Sequence, residues 1–442
     1  MNIFPYITKP IIIREEAGKE SCIISSSLYD GRIYLNNSAK EVLFICDGVT
    51  DMNKIISDIS HKFSGSSLEE IKAEVSSSID QFIKLGIMNS SEFSIPSCNI
   101  ILKKSPLSLQ LVYIEITRAC NLQCIHCYDN AGEVRDKELG TNDFLKLIDN
   151  LADIGLTDIV LTGGEPFMRK DIFQIINAIN RKNIRFSIFT NALLITPSIV
   201  DKLVEYSPEF IAISLDGSDA SVHERIRGKN TFDKTINAIK LIKSKGLKVR
   251  INHTLTSKSI TQLDNFMKLM KDLQIDDIFF DRFDSLGRGK EQEDLVIPVE
   301  QGYEIKSMLD KYSKNENVNI SSYEAIDNTI IADNGNLCGV GITSCYIKAD
   351  GELTFCPVMS SEEYSSVGDV LKSDIITLWN SEKWNELRHS SVQKISQCST
   401  CSDKSVCLGG CKAKAYNAYG NFNHPDPWAC SQFKKNSTEQ MA

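Results

Sequence analysis

Amino-terminal apolar positions fall into two patterns in succession. The runs PIIIRE, SCIIS and GRIYLN gather Ile and Tyr between Gly, Ser and charged residues, which predicts three short strands. NSAKEVLFICDG, MNKIISDISHKF and SLEEIKAEVSSSIDQFIKLGI then carry apolar residues at helical spacing, with Asn37 or Ser38 expected to cap the first helix and Gly48 near its end. Three strands followed by three helices predict a winged-helix-like α+β domain over residues 1–95, and SSEFSIPSCNIILKKSPLS reads as a linker over 96–110. From Leu111 the pattern becomes apolar strands (LVYIEIT, DIVLT, IRFSIFT, FIAISLD, KVRINHTL, DIFFDRF) alternating with amphipathic stretches such as TNDFLKLIDNLADIG and FDKTINAIKLIKSKG. That alternation predicts an α/β domain over 111–315, a partial (β/α)6 TIM-like barrel short of the full eight units. Residues 316–442 form a bridging segment and a region poor in long helices and dense in cysteine and glycine.

Composition changes this picture at one point. The chain has 14 cysteines among 442 residues, and MNIFPYITKPIIIREE lacks the basic segment and long apolar run of a secretory signal. A cytoplasmic location with reduced thiols is expected, so the cysteines point to metal ligands before disulfides. No run approaches the roughly 20 apolar residues of a membrane span. A net charge of −9 argues against nonspecific nucleic-acid binding, which needs a basic face.

Directly after the first barrel strand, TRACNLQCIHCYDN sets Cys120, Cys124 and Cys127 in a C-x3-C-x2-C pattern. A [4Fe-4S] cluster takes four thiolates, so three from one loop leave an iron open to another ligand. A zinc site would need His126 or a distant residue as its fourth ligand, and zinc motifs usually begin with C-x2-C pairs. The segment resembles the cluster loop of the radical S-adenosylmethionine (SAM) superfamily. The resemblance implies that SAM chelates the open iron and is cleaved by a low-potential electron to a 5'-deoxyadenosyl radical. It further implies SAM contacts from Gly163, Gly164 and Glu165 in LTGGEP, from Asn191 in FTNA, from Ser214 and Asp216 in ISLDG, and from Arg227 in HERIRG. The resemblance also sets His126, preceding the third cysteine, where the family often has an aromatic residue packing near adenine; a simple loop histidine is the alternative reading.

Eight more cysteines follow: Cys338, Cys345, Cys356, Cys398, Cys401, Cys407, Cys411 and Cys430. Their order, C-x12-G-x4-C through Gly351 and then C-x2-C-x5-C-x3-C, resembles the SPASM extension of peptide-modifying radical SAM enzymes. Eight thiolates suit two fully ligated [4Fe-4S] clusters. The resemblance implies auxiliary cluster I on Cys338, Cys345, Cys356 and Cys411, and auxiliary cluster II on Cys398, Cys401, Cys407 and Cys430. Three clusters and SAM are the expected cofactors. Cys22, Cys46 and Cys98 lie outside these motifs and suit buried apolar use.

The stretch GRIYLNNSAKEVLFICDGVTDMNKIISDI resembles the PqqD-like fold that recognises leader segments of ribosomal peptides, in which a leader adds a strand to the small sheet. With RFDSLGRGKE after the sixth strand, the layout is similar to subtilosin-type sactipeptide and ranthipeptide thioether synthases. The function implied is Cys sulfur-to-carbon crosslinking of a precursor peptide, with flavodoxin or ferredoxin as electron donor. Carbon–carbon crosslinking and oxidative decarboxylation suit the same scaffold. Sulfatase-type oxidation expects an Asp where Pro357 follows Cys356, and a non-catalytic electron carrier leaves GGEP and the barrel unexplained. The general base and other catalytic side chains are not identified by the sequence.

Overall fold

The computed structural model describes residues 2–9, 11–16, 22–25, 33–63, 65–134, 137–275, 277–315, 318–322 and 337–433. They fall into two compact units.

The first unit holds residues 1–108 with 149–158 and 179–185. Strands β1 (Phe4–Ile7), β2 (Ile11–Glu16), β3 (Cys22–Ser25) and β4 (Ile33–Leu35) precede helices α1 (Asn37–Ile45), α2 (Met52–Lys62) and α3 (Leu68–Lys84), and β5 (Met88–Ser91) and β6 (Ile100–Ser105) follow. The sheet runs β4-β3-β2-β6, while β1 pairs separately with β5. Each helix begins where a short polar side chain takes an orphan backbone N–H: Asn36 accepts from Ala39, Asp51 from Lys54, and Ser67 with Glu70 forms a capping box. The first cap is therefore Asn36, one residue ahead of the expected Asn37 or Ser38. Ile11, Ile13, Cys22 and Ile24 from the sheet pack with Val42, Ile55, Val75 and Phe82 from the helices, and Cys46 is buried in the same core. The stretch expected as a linker carries β6, which pairs in parallel with β2 from Ile11↔Ile100 to Glu16↔Ser105.

The second unit contains most of a ten-stranded sheet in the order β13-β12-β11-β10-β9-β8-β7-β14-β15-β16. The six strands expected from the pattern are β7 (Leu111–Thr117), β8 (Asp158–Gly163), β9 (Arg185–Thr190), β10 (Ile211–Ser214), β11 (Val249–Leu255) and β12 (Asp277–Arg282). Helices α4 (Thr141–Asp153), α5 (Ile172–Arg181), α6 (Pro197–Tyr206), α7 (Ala220–Arg227), α8 (Phe232–Ser244) and α9 (Leu263–Asp272) connect them. A seventh parallel strand, β13 (Asn319–Ser322), joins β12 after α10 (Gly302–Asn315). On the far side β14 (Ser344–Ile347) runs parallel to β7, and β15 (Glu352–Thr354) and β16 (Ser366–Asp369) extend the sheet antiparallel. Helices in the cysteine-rich part are short; the longest described, 412–419, starts directly after Cys411. Among the described residues no helix is long and apolar enough to cross a membrane.

Candidate active site

Parallel strands present their carboxyl ends along one edge, where β/α folds place ligands. The loop after β7 carries Cys120, Cys124 and Cys127. Its backbone is closed by Cys120 N donating to Gly132 O at 3.0 Å and Gly132 N donating to Arg118 O at 3.0 Å. The turn after β8 lies directly on this loop's root: Gly164 N donates to Thr117 O at 2.9 Å and Glu165 N to Ala119 O at 2.8 Å. A Cβ on Gly163 would stand 2.3 Å from Thr117 O, and one on Gly164 2.2 Å from Ala119 O. The two glycines thus allow a close approach of backbone to backbone.

Glu165 is fully buried. Its carboxylate accepts from Thr190 Oγ1 at 2.8 and 3.0 Å, from Asn191 N at 2.8 Å and from Phe167 N at 3.1 Å. Burial raises its pKa to about 7 against these stabilising bonds. In this arrangement Glu165 ties the β8 turn to the end of β9. Asn191 then reaches the cysteine loop, its Nδ2 donating to Asn121 Oδ1 at 2.8 Å and standing 3.8 Å from Cys120 Sγ.

Asp216, after β10, anchors a second connection. Its Oδ2 accepts from Arg227 Nε at 2.6 Å and lies 3.3 Å from His126 Nε2, while Oδ1 accepts from Thr254 N at 2.8 Å. Burial would raise this carboxyl, yet the neighbouring Arg227 and His126 hold it well below the usual carboxylate range. Arg227 also places Nη1 4.0 Å from Cys124 Sγ and Nη2 3.4 Å from His126. The structure therefore brings His126, Asp216 and Arg227 together beside Cys124, with Asp216 as the anchor of the arginine. His126 Nδ1 is buried with no partner among the described residues. Ser214 is half-buried at the end of β10 beside Asn252 and shares no hydrogen bond with this set.

One functional contact was not evident from the sequence. In the loop after β12, Arg288 donates from Nε to Cys124 O at 2.9 Å and from Nη1 to Ala131 O at 2.8 Å, and its backbone N–H donates to Cys127 O at 3.0 Å. Gly287 precedes it at φ +54°, where a Cβ would meet both Cys127 O and Tyr128 O at 2.4 Å. The only local hint was the SLGRG glycine spacing.

These residues fit an anionic iron-sulfur cluster. Burial first, with smaller contributions from its neighbours Cys124 and Cys127, pushes the Cys120 thiol up to about 11. Arg227 and Arg288 supply the opposing positive charge beside Cys124. Among the described residues no three His, Cys, Asp or Glu side chains converge on a position for one metal ion.

In the cysteine-rich part, Cys338, Cys356 and Cys411 lie within one another's electrostatic reach, and burial pushes Cys356 up to about 12. Cys345 is buried in β14 beside Arg388. Cys398 packs with Leu337, Val392, Ile395 and Leu408. Cys407 is buried, and Cys401 and Cys430 are half-buried. The buried Lys412 faces Cys398, Cys411 and Cys338, its pKa lowered to about 8 by burial.

Residues 114–270 match the radical SAM superfamily, and residues 338–402 match the SPASM iron-sulfur cluster-binding domain. Relatives include an AdoMet-dependent heme synthase of Methanosarcina barkeri, 28% identical over 72% of this chain and 95% of that protein. Mycofactocin maturase MftC of Mycolicibacterium smegmatis is 28% identical over 71% of this chain and 80% of its own length. Among solved structures, Streptococcus suis SuiB bound to precursor peptide SuiA is 18% identical, with a TM-score of 0.68 over 97% of this chain and 100% of that one. Native anSMEcpe with bound AdoMet is 19% identical, with a TM-score of 0.62 over 73% of this chain and 95% of that one. At these identities the two structures establish a shared fold.

Proposed function

The chain is a radical SAM enzyme with a SPASM domain, and from that premise we propose that it modifies a ribosomally made precursor peptide, closing thioether bonds between cysteine sulfur and carbon. The observation that carries the peptide reading is the first unit. Its residues 1–108 lie outside both matched domains, and the fold shared with SuiB, crystallised with its precursor peptide, extends over 97% of this chain.

Cys120, Cys124 and Cys127 hold the cluster that binds SAM. Cys338, Cys345, Cys356 and Cys411 hold one auxiliary cluster, and Cys398, Cys401, Cys407 and Cys430 the other. When bound, SAM and its cluster supply a deoxyadenosyl radical after one-electron reduction by a flavodoxin or ferredoxin, and the peptide loses a hydrogen atom, a proton and an electron as each carbon–sulfur bond closes. Asn191 and Arg227 orient the cysteine loop, and Arg227 offsets thiolate charge. Asp216 and His126 keep Arg227 in place. Thr190 bridges both oxygens of Glu165, and an incoming SAM ammonium would replace that bond. Ser214 meets the ribose, and Gly163 and Gly164 set the turn that carries Glu165.

The first unit acts as a PqqD-like leader-recognition domain. β4 is a short edge strand, so an extended leader can add beside it by main-chain hydrogen bonds. A cavity of about 440 Å³ adjoins the end of β4, with Val42, Ile59, Phe63 and Val75 as apolar lining and Asn36 and Glu74 as polar lining. It suits an apolar leader side chain.

A second reading follows from the heme synthase relatives: a tetrapyrrole substrate in the same barrel. One experiment separates the two. The anaerobically reconstituted protein, carrying about twelve irons in three clusters, is incubated with SAM, a reductant and, in parallel reactions, the peptide encoded beside it or an iron porphyrin. Peptide that has lost two hydrogens per crosslink together with its free thiols is the expected product. Unmodified peptide with turnover of an iron porphyrin supports the second reading, and stoichiometric zinc with little iron refutes both.

A further inference from the structure

Strand β12 has two faces. Ile278 and Phe280 are buried on the helix side, where the Phe280 ring stands 6.0 Å from Phe266 of α9. Phe279 and Asp281 alternate with them, so they belong to the inner face of the barrel. Asp281 stands near the carboxyl end of the strand, level with Thr254 of β11. Parallel barrels hold their substrates at that end.

Lys414, in the helix that follows Cys411, reaches this carboxylate from the cysteine-rich part. Its ammonium lies 2.9 Å from Asp281 Oδ1 and 3.4 Å from Asp284 Oδ2, with a side chain only 4% exposed. Asp284 is held in addition by Arg282 at 3.2 Å. The side chain of Asp281 remains 40% exposed, and its Oδ2 has no partner among the described residues. Ser321 of β13 pairs with Phe279 on the same face, and its hydroxyl is buried with no partner among the described residues. One wall of the barrel thus presents a carboxylate fixed through one oxygen and open at the other, beside a hydroxyl with no partner among the described residues. A buried hydroxyl is normally satisfied, and a ligand is one way to do so.

We propose that Asp281 is a substrate-positioning residue that accepts a hydrogen bond from an N–H of the bound polypeptide, and that Lys414 is the strut that fixes its carboxylate. This rests on the peptide reading above. Because Lys414 lies one helical turn after Cys411, the same strut registers the auxiliary cysteine region against the barrel wall. A peptide held there lies between the radical-generating loop and the cysteine-rich domain. The ion pair leaves Asp281 one oxygen for the substrate and fixes its direction, which favours positioning over proton transfer.

The test compares wild type, Asp281→Ala and Asp281→Asn with the peptide encoded beside the chain. Binding is read from a fluorescein-labelled copy, and turnover as the ratio of 5'-deoxyadenosine released to crosslinked peptide. Asp281→Ala is expected to lower kcat/KM at least about tenfold and raise the ratio at least about threefold, the consequence of losing one charged hydrogen bond and letting the target atom drift. Asp281→Asn keeps an acceptor oxygen and recovers part of both. An unchanged ratio with Asp281→Ala overturns the proposal. So does a parallel loss of iron and product at constant ratio, which assigns Asp281 to the fold. A wild-type enzyme that neither binds nor modifies the peptide overturns the peptide reading as well, whereas wild-type turnover with an unaffected variant overturns only the role of Asp281.

Discussion

Replacing Asp216 by Asn removes one negative charge from a fully buried site. The carboxylate is fully buried, and its Oδ2 accepts from Arg227 at 2.6 Å beside His126 at 3.3 Å. Asn fills the same volume and can still accept from Thr254 N through one oxygen, so packing and one bond survive. The other end of the amide either turns N–H donors toward the guanidinium or offers a neutral oxygen in place of a charge. Arg227 is then a buried cation without its counter-ion, a defect of about 3–5 kcal/mol. At about 2–4 °C per kcal/mol for domains of 150–250 residues, thermal unfolding should move down by roughly 6–20 °C. Circular dichroism of the anaerobically loaded protein measures this. The double variant Asp216→Asn/Arg227→Gln removes both charges and should recover more than about 1 kcal/mol relative to additivity. An Asp216→Asn loss below about 1 kcal/mol, or an additive cycle, would refute the account of Arg227 as a cation held by this carboxylate.

Three further outcomes are expected. Arg288→Met deletes two charged hydrogen bonds to the cysteine loop, worth about 1.5–3 kcal/mol each at most, so residues 120–131 should exchange amide hydrogens faster while the rest of the barrel is unchanged. Burial lowers both His223 and His253 to about 4 from an ordinary 6.5, so each is neutral when folded and binds protons more readily when unfolded. Their contribution is present above pH 6.5 and lost as pH falls toward 4; His253→Phe should therefore reduce the stability loss between pH 7 and pH 5 by about 2 kcal/mol relative to wild type, read by urea unfolding at each pH. Removing iron with a chelator should lower the melting temperature by several degrees, because the cysteine sites exist only in the folded chain.

The alternation of strands and helices from Leu111 onward was legible because each unit repeats the same solution: an apolar strand, a turn and an amphipathic helix. The cysteine motifs were legible because ligand spacing is local. What escaped was non-local. β6 reads IILKKS among Ser and Pro residues, and only pairing with β2, far earlier in the chain, makes it a strand. β13 reads NISS, too polar to announce itself, and follows from its register with β12. The helix cap shifted by one because Asn36, Asn37 and Ser38 are all competent, and the end of β4 decides which is used. The mutual contacts of Asp216, Arg227 and His126 also lay beyond the sequence, a relation no spacing rule contains.

The charges around the cysteines follow one arrangement. The chain is acidic overall, at −9, yet buried or partly buried cations stand beside its clustered thiols: Arg227 and Arg288 beside Cys124, Arg388 beside Cys345, and Lys412 facing Cys398, Cys411 and Cys338. Burial raises the thiols of Cys124, Cys338, Cys345 and Cys411, so without iron they are neutral and the cations lack part of their counter-charge. Arg388 illustrates the strain: its guanidinium donates to Gly341 O at 2.6 Å and lies 4.7 Å from the Trp379 ring centre, and burial lowers its pKa while Cys345 opposes that shift. In the proposed ligation, thiolates bound to iron would supply the missing negative charge at the same positions. Folding would then prepare half of each ion pair for a cluster to complete. On this argument the cations do more than neutralise. In the proposed ligation they would make the loaded state the electrostatically balanced one, coupling cluster binding to folding of the cysteine regions.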